Sequence, residues 1–377
     1  MANEPPKTIA LFFTYGMSVK GWYTAGLVKR DTLLYERLSK HGYQTHFITY
    51  GDENDGDYLP DGSLIRVHGK PWNMGNLRYG LSIPSLHRDV LKGVDIIKSH
   101  QVIGSRFAVR AKSKFNKTYV ARGGYLPSAF LAGQNAGPIV RGVNYLEERL
   151  SFRSADIFCV PSQTEIDYLS RRYRVETGKG RVCPNWIDTD VFKPDPSVEK
   201  KPRRICFVGR FEAQKQPFLL LDALRGLEDV ELLMIGGGPL RKEIDTRIRE
   251  YGIAATVLDR VDNEDLPHHL NSSALYVLPT LYEGGSPKTL LEAMACGLPV
   301  ICTKAFGADE AFDDGIHGLK VEARDVDGLR HAMAMLLEAP ERGKKLGEKG
   351  RQRIIDFNSI EKALEREIGL IEELARP

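Results

Sequence analysis

The chain has 377 residues, 42% of them hydrophobic and 27% charged, with a formal net charge of +3. That length predicts two domains with buried cores, and no apolar run approaches the roughly 18 residues of a membrane-spanning helix. The polar start and the short apolar run after it are not typical of a signal peptide, so we expect a cytoplasmic protein. Five cysteines without a CxxC pair argue against a disulfide framework or a zinc site.

The charge is unevenly distributed along the chain. Residues 1–190 have 26 Lys and Arg against 18 Asp and Glu, a net +8, and residues 191–377 have 27 against 32, a net −5. An anionic partner is therefore expected at the first half. Residues 106–122 hold cations and no acid, which favours either contact with anionic lipid at the inner face of the membrane or a solvated helix face; the sequence leaves both open. No nucleic-acid-binding module is present, so nucleic acid is not an expected partner.

Short apolar runs alternate with helical stretches, which is typical of parallel α/β architecture. In the first half we predict strands at 8–15, 44–50, 94–99, 118–121 and 157–161. In the second half we predict strands at 204–208, 231–235, 256–258, 275–278, 299–303 and 318–321. Their apolar residues are continuous rather than alternating, which indicates strands that are buried on both faces.

A polar, proline-rich stretch from Pro184 to Pro202 is typical of a domain linker. We therefore predict an α/β protein with an N-terminal Rossmann-like domain, residues 1–190, and a second one, residues 191–356. A last helix within residues 357–377 has apolar residues at helical spacing and is assigned to the first domain. Ligands are expected at the carboxyl ends of the parallel strands.

The strongest motif runs from Tyr282 to Val300 and predicts a glycine loop, a short helix and a strand. Ser286 suits the N-cap of that helix, Pro287 its first position and Gly297 the residue after its end. A glycine loop before a helix N-terminus offers backbone N–H groups to an anion. Lys288 in the first turn opposes the helix dipole, which an anionic ligand would explain.

Two carboxylates belong to this motif. Glu283 lies in the loop, and Glu292 lies one turn into the helix. Glu292 can accept hydrogen bonds from sugar hydroxyls, and Glu283 is expected to face the cleft. The structural alternative is a capped surface helix with two solvated glutamates.

Two other glycine-containing loops follow predicted strands. Gly209 and Arg210 follow the strand at 204–208, and Lys215 completes a pair of cations that can neutralise a diphosphate without a metal. Gly236-Gly237-Gly238 follows the next strand and permits close approach of a base or a phosphate. The order GxGxxG and a P-loop are both missing, which argues against NAD and P-loop chemistry.

Together these motifs resemble the retaining family 4 glycosyltransferases of the GT-B fold over nearly the whole chain. Gly209, Arg210 and Lys215 are similar to the donor-phosphate pair of that family, and the segment from Pro279 to Val300 is similar to its glutamate signature. The resemblance implies two Rossmann-like domains that face each other across a cleft, with the C-terminal helix crossing back to the first. It also implies transfer of a sugar from a nucleotide-diphosphate donor to an acceptor hydroxyl with retention, in surface polysaccharide or glycolipid biosynthesis.

The resemblance also implies residue roles. Glu283 would contact the donor sugar, Glu292 the ribose, and Arg210 and Lys215 the diphosphate, with Glu283, Arg210 and Lys215 as the catalytic group. Further donor contacts are implied at Gly209, Gly237, Ser286, Pro287, Lys288, Thr289 and Leu290. We expect a nucleotide-sugar donor and a saccharide or lipid-linked saccharide acceptor, and no cofactor, metal or protein nucleophile.

The chain departs from the family pattern at several positions. Eight residues rather than seven separate Glu283 from Glu292, and the usual first-domain histidine is missing. His100 or Arg122, each at the end of a predicted strand, would take its place, and Gly16 and Gly21 would lie near the acceptor without the usual paired glycines.

Two rival functions therefore stay open: a GT-B-fold nucleotide-sugar epimerase, and a non-catalytic protein that binds a nucleotide sugar. Three Asp-x-Asp triplets, which begin at positions 55, 188 and 325, are ascribed to chance rather than to a metal site.

Overall fold

The computed structural model describes residues 8–132 and 137–375. Its internal contacts divide the chain into two compact units. Unit 1 comprises residues 1–184 and 363–377, and unit 2 comprises residues 185–362. The domain boundaries predicted at 190/191 and 356/357 lie close to these divisions.

Each unit is built on one parallel sheet. In the described part of unit 1 the strands are β1 Thr8–Phe12, β2 Gln44–Ile48, β3 Arg66–His68, β4 Ile96–Ser99, β5 Thr118–Arg122, β6 Ile157–Val160 and β7 Gly180–Val182. They form a sheet in the order β3-β2-β1-β4-β5-β6-β7. In unit 2 the strands are β8 Arg204–Val208, β9 Glu231–Ile235, β10 Ala254–Leu258, β11 Leu275–Leu278, β12 Val300–Thr303 and β13 Leu319–Val321. Their order is β10-β9-β8-β11-β12-β13.

Helices connect the strands in both units. Those that begin in the first half of the chain are α1 Val19–Thr24, α2 Val28–Lys40, α3 Asn76–Leu86, α4 Arg88–Gly93, α5 Ser105–Phe115, α6 Pro127–Ala132, α7 Pro138–Ser154 and α8 Gln163–Tyr173. The later ones are α9 Pro217–Leu224, α10 Arg241–Tyr251, α11 Leu266–Asn271, α12 Lys288–Ala295, α13 Val326–Glu338, α14 Pro340–Phe357 and α15 Ile360–Ala375. In the part of the chain that the structure describes, none of them is both long and apolar enough to cross a bilayer.

The predicted two-domain, parallel-sheet fold is confirmed, and so are the strands predicted from apolar runs. β8 shows why those runs are continuous: Cys206 and Val208 belong to one hydrophobic core of unit 2, and Ile205 and Phe207 belong to the other. Both faces of the sheet are thus covered, and every residue of β8 after Arg204 is apolar.

Two strands, β3 and β7, were not predicted. Both have three residues and lie at the two edges of the unit 1 sheet. Arg66 is exposed on β3, and Val182 is exposed on β7. An edge strand has a neighbour on one side only, so a short, partly polar segment suffices and no apolar run marks it.

The predicted C-terminal helix is present as α15, and from Ala363 onward it belongs to unit 1. Its Glu367 forms an ion pair with Lys98 at the carboxyl end of β4, and the two side chains are 9% and 3% exposed. Burial opposes the charge on Lys98, but the Glu367 carboxylate prevails and raises the pKa of this lysine. Glu373, two turns further on, pairs with Arg181 at a site where both side chains are more than one third exposed.

Gly21, which is expected near the acceptor, lies in α1. The helix begins there because the Ser18 hydroxyl accepts a hydrogen bond from the Gly21 N–H, 3.0 Å away. The buried Asp55 carboxylate accepts the N–H groups of Val19 and Lys20 at 3.0 and 2.9 Å. This helix start is therefore occupied by an internal carboxylate, where the prediction had placed a ligand.

Candidate active site

The predicted donor residues of unit 2 lie in the loops that follow β8, β9 and β11 and in α12, and the loops after β8 and β11 form the centre of the site. These two strands are neighbours, and the chain leaves β8 toward β9 on one side and returns to β11 on the other. Such a reversal of strand order opens a crevice at the carboxyl ends of a parallel sheet, where ligands bind in α/β folds. The fold thus brings the segments around residues 210 and 283 together, although they are far apart in the sequence.

Lys215 and Glu283 form the centre of this site. The Lys215 ammonium lies 2.5 Å from Oε1 of Glu283, and the side chains are 12% and 8% exposed. The Glu283 backbone N–H donates to the carbonyl of Phe306 at 2.7 Å, which fixes the loop from the other side. The family resemblance implies separate roles for these two residues, and the structure brings them into direct contact.

Gln214 connects the two loops. Its side-chain amide donates to the Tyr282 carbonyl at 2.7 Å, and its own carbonyl accepts the Leu281 N–H at 2.9 Å. The residue is buried, and its Oε1 has no hydrogen-bond donor among the residues that the structure describes. Sequence reasoning missed Gln214, although it lies directly before Lys215 in the motif.

Arg210 is placed differently from Lys215. Its side chain is 62% exposed, and its guanidinium donates to Glu212 at 3.1 Å. Gly209, which precedes it, donates its N–H to the Ile235 carbonyl at 3.0 Å. A guanidinium has five N–H donors, so Arg210 retains capacity for an anion at the mouth of the site.

The glycine turn after β9 has a structural cause that the sequence did not reveal. A Cβ on Gly236 would lie 2.0 Å from the Gly209 carbonyl oxygen, and one on Gly238 would lie 2.6 Å from that of Phe211. These two glycines allow the turn to pack against the loop after β8, where Phe211 donates its N–H to Gly237 at 2.8 Å. Gly237 is exposed, and a Cβ there would meet no atom within 4 Å.

The helix after the glycine loop begins one residue later than predicted. Pro287, with φ −68° and ψ 121°, is the N-cap of α12, and Lys288 is its first residue. Since the backbone of Pro287 is still extended, Ser286 lies outside the helix and its side chain makes no capping bond. Gly297 follows the helix end with φ +73°, as predicted.

Inside α12 the remaining predicted residues are closely packed. Leu290 is fully buried and Glu292 is 2% exposed. Thr289 accepts a hydrogen bond from the Tyr276 hydroxyl at 2.8 Å. Burial raises the pKa of Tyr276 well above its ordinary value, so this phenol remains a neutral donor.

Asn185 and Trp186, which the sequence analysis treated only as part of the linker, contact the same loop. The Asn185 side chain donates to the Ser286 carbonyl at 2.8 Å, and Asn358 donates to the Asn185 carbonyl at 2.8 Å. The Lys288 ammonium lies 5.0 Å from the centre of the Trp186 ring. The beginning of unit 2 therefore supports the start of α12.

Three predicted residues of unit 1 lie at its own reversal of strand order, between β1 and β4. His100 follows β4, and its Nδ1 lies 3.2 Å from the Thr14 hydroxyl. Arg122, which ends β5, donates to the His100 carbonyl at 3.4 Å. Gly16 lies in the loop after β1 with φ +81°.

Unit 1 also contains a pocket of about 340 Å³. It is lined by Ser18, Lys20, Tyr50, Gly51, Asp52, Asp55, Lys70, Pro71, Trp72 and Asn73. Trp72 is 76% exposed, and the Lys70 ammonium donates to the Asn76 side chain at 2.9 Å. An exposed indole beside hydrogen-bonding groups is suited to stack against a sugar ring.

The Asp-x-Asp triplets have local structural roles. Asp55 caps α1, Asp188 accepts the N–H of Asp190 at 3.0 Å, and Asp325 is the N-cap of α13. Within residues 8–132 and 137–375, no group of three or more His, Cys, Asp or Glu side chains is arranged to hold a metal ion.

Comparison with known proteins agrees with this architecture. The model of the family described as Glycosyltransferase Family 4 matches residues 29–191, and that of Glycosyl transferases group 1 matches residues 188–353. A glycosyltransferase of Methanocaldococcus jannaschii is 31% identical over 88% of this chain and 90% of its own length.

Two other proteins add detail. A GDP-mannose-dependent α-(1-6)-phosphatidylinositol monomannoside mannosyltransferase of Mycolicibacterium smegmatis is 30% identical over 46% of this chain, and the match spans about half of that relative, 51%. Among solved structures, Anabaena HepE in complex with UDP and glucose superposes with a TM-score of 0.76, at 17% identity, over 97% of this chain and all of HepE. The likeness to HepE concerns the GT-B fold alone. The two family models and the full-length relative show that the chain belongs to the family 4 glycosyltransferases.

Proposed function

We propose that the protein transfers a hexose from a nucleoside-diphosphate sugar to a hydroxyl group of a saccharide or lipid-linked saccharide, with retention of the anomeric configuration. The observation that carries this proposal is the junction of the loops after β8 and β11, where Lys215 and Arg210 lie with the start of α12. A nucleoside diphosphate leaves with negative charge, and fixed cations beside a helix N-terminus stabilise that charge.

Each donor residue has a role in this proposal. The half-exposed Arg210 binds the diphosphate at the mouth of the site, and the buried Lys215 neutralises the oxygen that leaves the sugar. Glu283 forms an ion pair with Lys215 through one carboxylate oxygen and accepts a hydrogen bond from a sugar hydroxyl with the other. Glu292, buried on α12, accepts hydrogen bonds from the ribose.

The transfer step requires no protein nucleophile. The bond between the anomeric carbon and the phosphate oxygen breaks while the acceptor oxygen bonds to the same face of that carbon. The acceptor proton passes to the departing phosphate oxygen. Retention thus follows from attack on the face that the diphosphate leaves, and the protein supplies position and charge.

The acceptor is proposed to bind unit 1 at the pocket that contains Trp72. The M. smegmatis relative, whose name specifies a phosphatidylinositol mannoside, supports a lipid-linked saccharide as the first acceptor class to test. Synthesis of a surface polysaccharide or a glycolipid is the corresponding pathway class.

Thermal unfolding with UDP, GDP, ADP, CMP and dTDP tests the donor site first. A ligand at 100 times its dissociation constant adds about 2.7 kcal/mol to stability, so the cognate nucleotide is expected to raise Tm selectively. The matching hexose donors are then supplied with saccharide acceptors, and the anomeric configuration of the product is read by NMR. Absence of any nucleotide-dependent shift, or an inverted product, would contradict the proposal; an isomerised donor without a glycoside would indicate the epimerase.

A further inference from the structure

Helix α7, Pro138–Ser154, exposes an apolar stripe. Its exposed apolar residues are Ile139, Val140, Val143, Leu146 and Leu150, and their exposed fractions are 81%, 50%, 52%, 63% and 42%. Four of them occupy positions i, i+4, i+7 and i+11, which place their side chains along one side of a helix. In a helix on the surface of a globular domain, such a stripe normally faces the core.

The opposite side of α7 explains why the stripe faces outward. Glu147, 7% exposed, accepts hydrogen bonds from the Gly104 N–H at 2.7 Å and from Arg106 at 2.8 Å. Glu148, fully buried, accepts from the Ser128 N–H at 2.6 Å and from the Tyr173 hydroxyl at 2.5 Å. Because both acids of the helix are bound inside unit 1, the five residues of the stripe are turned away from the core, whereas Phe152 near the helix end packs into it.

The exposed charged side chains on α7 and on its neighbour α5 are all positive. Arg141, Arg149 and Arg153 are exposed on α7, and Arg110 and Lys114 are exposed on α5, which packs against it. No carboxylate is exposed on these two helices, all of whose residues the structure describes. A second copy of this chain would bring arginines against arginines across a symmetric contact, whereas an anionic surface would be complementary.

We infer that α7 docks on an anionic lipid surface. The helix would lie in the plane of the headgroups, with the stripe among the upper acyl carbons and the flanking arginines at the phosphates. This is contact with one leaflet and not a span. The inference does not rest on the proposed function, because it depends on the outward face of α7 alone.

For residues 106–122 the sequence left open either contact with anionic lipid or a solvated helix face. Several cations of that run are used inside unit 1: Arg106 pairs with Glu147, Lys112 pairs with Asp156 at 2.9 Å, and Lys117 donates to the Lys92 carbonyl at 2.8 Å. These partners reduce the charge that the run can offer to lipid, which leaves α7 as the better lipid-facing element.

Flotation of the full chain with vesicles tests the inference. The vesicles are phosphatidylcholine alone, or phosphatidylcholine mixed with phosphatidylglycerol. The wild type is expected to float with the anionic vesicles and to dissociate in high salt, where screening is strong. The double variant Val143→Ser/Leu146→Ser should lose flotation. The double variant Arg149→Gln/Arg153→Gln should bind the anionic vesicles more weakly, by about fivefold for each arginine.

A matched control uses apolar residues that are equally exposed elsewhere. Leu64 and Ile316 are 57% and 47% exposed, and Leu64→Ser/Ile316→Ser should float like the wild type. Thermal unfolding checks that every variant is folded, and the arginine variant tests the inference even if the serine variant unfolds. The inference is overturned if the wild type does not float, or if the serine and arginine variants float like the control.

Sedimentation velocity identifies the competing occupant. A dimer that forms without lipid and is abolished by Val143→Ser/Leu146→Ser would mean that a second copy covers the stripe, which would also overturn the inference.

Discussion

The ammonium of Lys215 and the carboxylate of Glu283 are 2.5 Å apart, although the residues are 68 positions apart in the sequence. Both side chains are largely buried, so water screens their charges only weakly. The pair therefore has a structural role in addition to any role in transfer. Losing either partner leaves a buried charge without compensation.

A double-mutant cycle separates these two roles. Lys215→Met is expected to lower the free energy of unfolding by about 3 kcal/mol, because Glu283 remains charged and buried. The double variant Lys215→Met/Glu283→Gln should recover part of this stability. Turnover should fall on the order of 100-fold in both the single and the double variant. Urea unfolding and kcat are the measurements. Lys304→Met is the control, since its pair with Glu322 is exposed and should contribute less than about 1 kcal/mol. Unchanged turnover in Lys215→Met would refute the catalytic role.

Glu292→Gln is expected to weaken nucleotide binding about tenfold, or about 1.4 kcal/mol, because one oxygen that accepts ribose hydroxyls becomes an N–H donor. The amide has nearly the same volume, so packing around this buried position of α12 is retained. Isothermal titration calorimetry with the cognate nucleoside diphosphate measures the effect. Glu341→Gln, an exposed change at the start of α14, serves as the control. Equal affinity in both variants would remove Glu292 from the ribose site.

Trp72→Ala is expected to raise KM for the saccharide acceptor by about two- to tenfold, the range that ~0.5–1.5 kcal/mol of ring stacking provides. Donor affinity should stay unchanged, and Trp72→Phe should restore much of the loss. Steady-state kinetics with each substrate varied in turn distinguishes the two effects. Tyr23→Ala is the control, since Tyr23 is an exposed aromatic residue that does not line the pocket. An acceptor KM that does not respond to Trp72 would place the acceptor elsewhere.

Unit 1 is expected to lose stability in acid through a cluster of histidines. His46 Nδ1 lies 2.8 Å from His68 Nε2, and His87 Nε2 lies 2.8 Å from the Tyr79 hydroxyl. Burial, with a smaller effect of His68, lowers the pKa of both His46 and His87 to about 4, whereas the unfolded value is near 6.5. Between pH 6.5 and 4 the unfolded chain therefore binds more protons, so stability is complete above that window and decreases as the pH falls through it.

The change in Tm between pH 7 and pH 4 measures this effect. His87→Gln keeps a hydrogen-bonding side chain beside Tyr79 but does not titrate, and it should reduce the acid-induced decrease in Tm. The exposed His41 provides the control variant, His41→Gln, which should leave the decrease unchanged. The explanation fails if both variants respond to acid like the wild type.

Helix α15 contributes one buried and one exposed ion pair, so the contribution of burial can be compared within the same helix. Glu367→Gln should cost about 3–5 kcal/mol, because it leaves the Lys98 ammonium buried and unpaired. Glu373→Gln removes the exposed pair with Arg181 and should cost less than about 1 kcal/mol. Urea unfolding compares the two. Similar costs would show that burial of the Lys98 pair does not determine its contribution.

The fold was predictable where the physical signal is local. Central strands such as β8 are mostly apolar because each face of the sheet carries its own core, and this pattern is visible in the sequence. The edge strands β3 and β7 give no such signal, since one neighbour and a partly polar segment suffice. The start of α12 was misplaced by one residue because proline is compatible both with an N-cap and with the first helical position.

The candidate site was predictable as a set of loops but not as a set of contacts. Which loops meet depends on the neighbouring positions of β8 and β11, and no local pattern specifies that Lys215 binds Glu283. The glycines at 236 and 238 could not be interpreted fully from the sequence either. Glycine indicates that another group packs closely against the backbone, but not whether that group is a ligand or, as here, the backbone of a neighbouring loop. Asn185 was missed because its partner is a main-chain carbonyl, which leaves no sequence signature.

The ion pair of Lys98 with Glu367 also bears on the order in which the protein folds as it is synthesised. Residues 185–362 are continuous, so unit 2 has all of its parts once residue 362 has left the ribosome. Unit 1 is translated first, yet its buried lysine has no counter-charge from α15 until residue 367 follows. The unit translated first should therefore be the last to reach its full stability, with unit 2 completed in the interval.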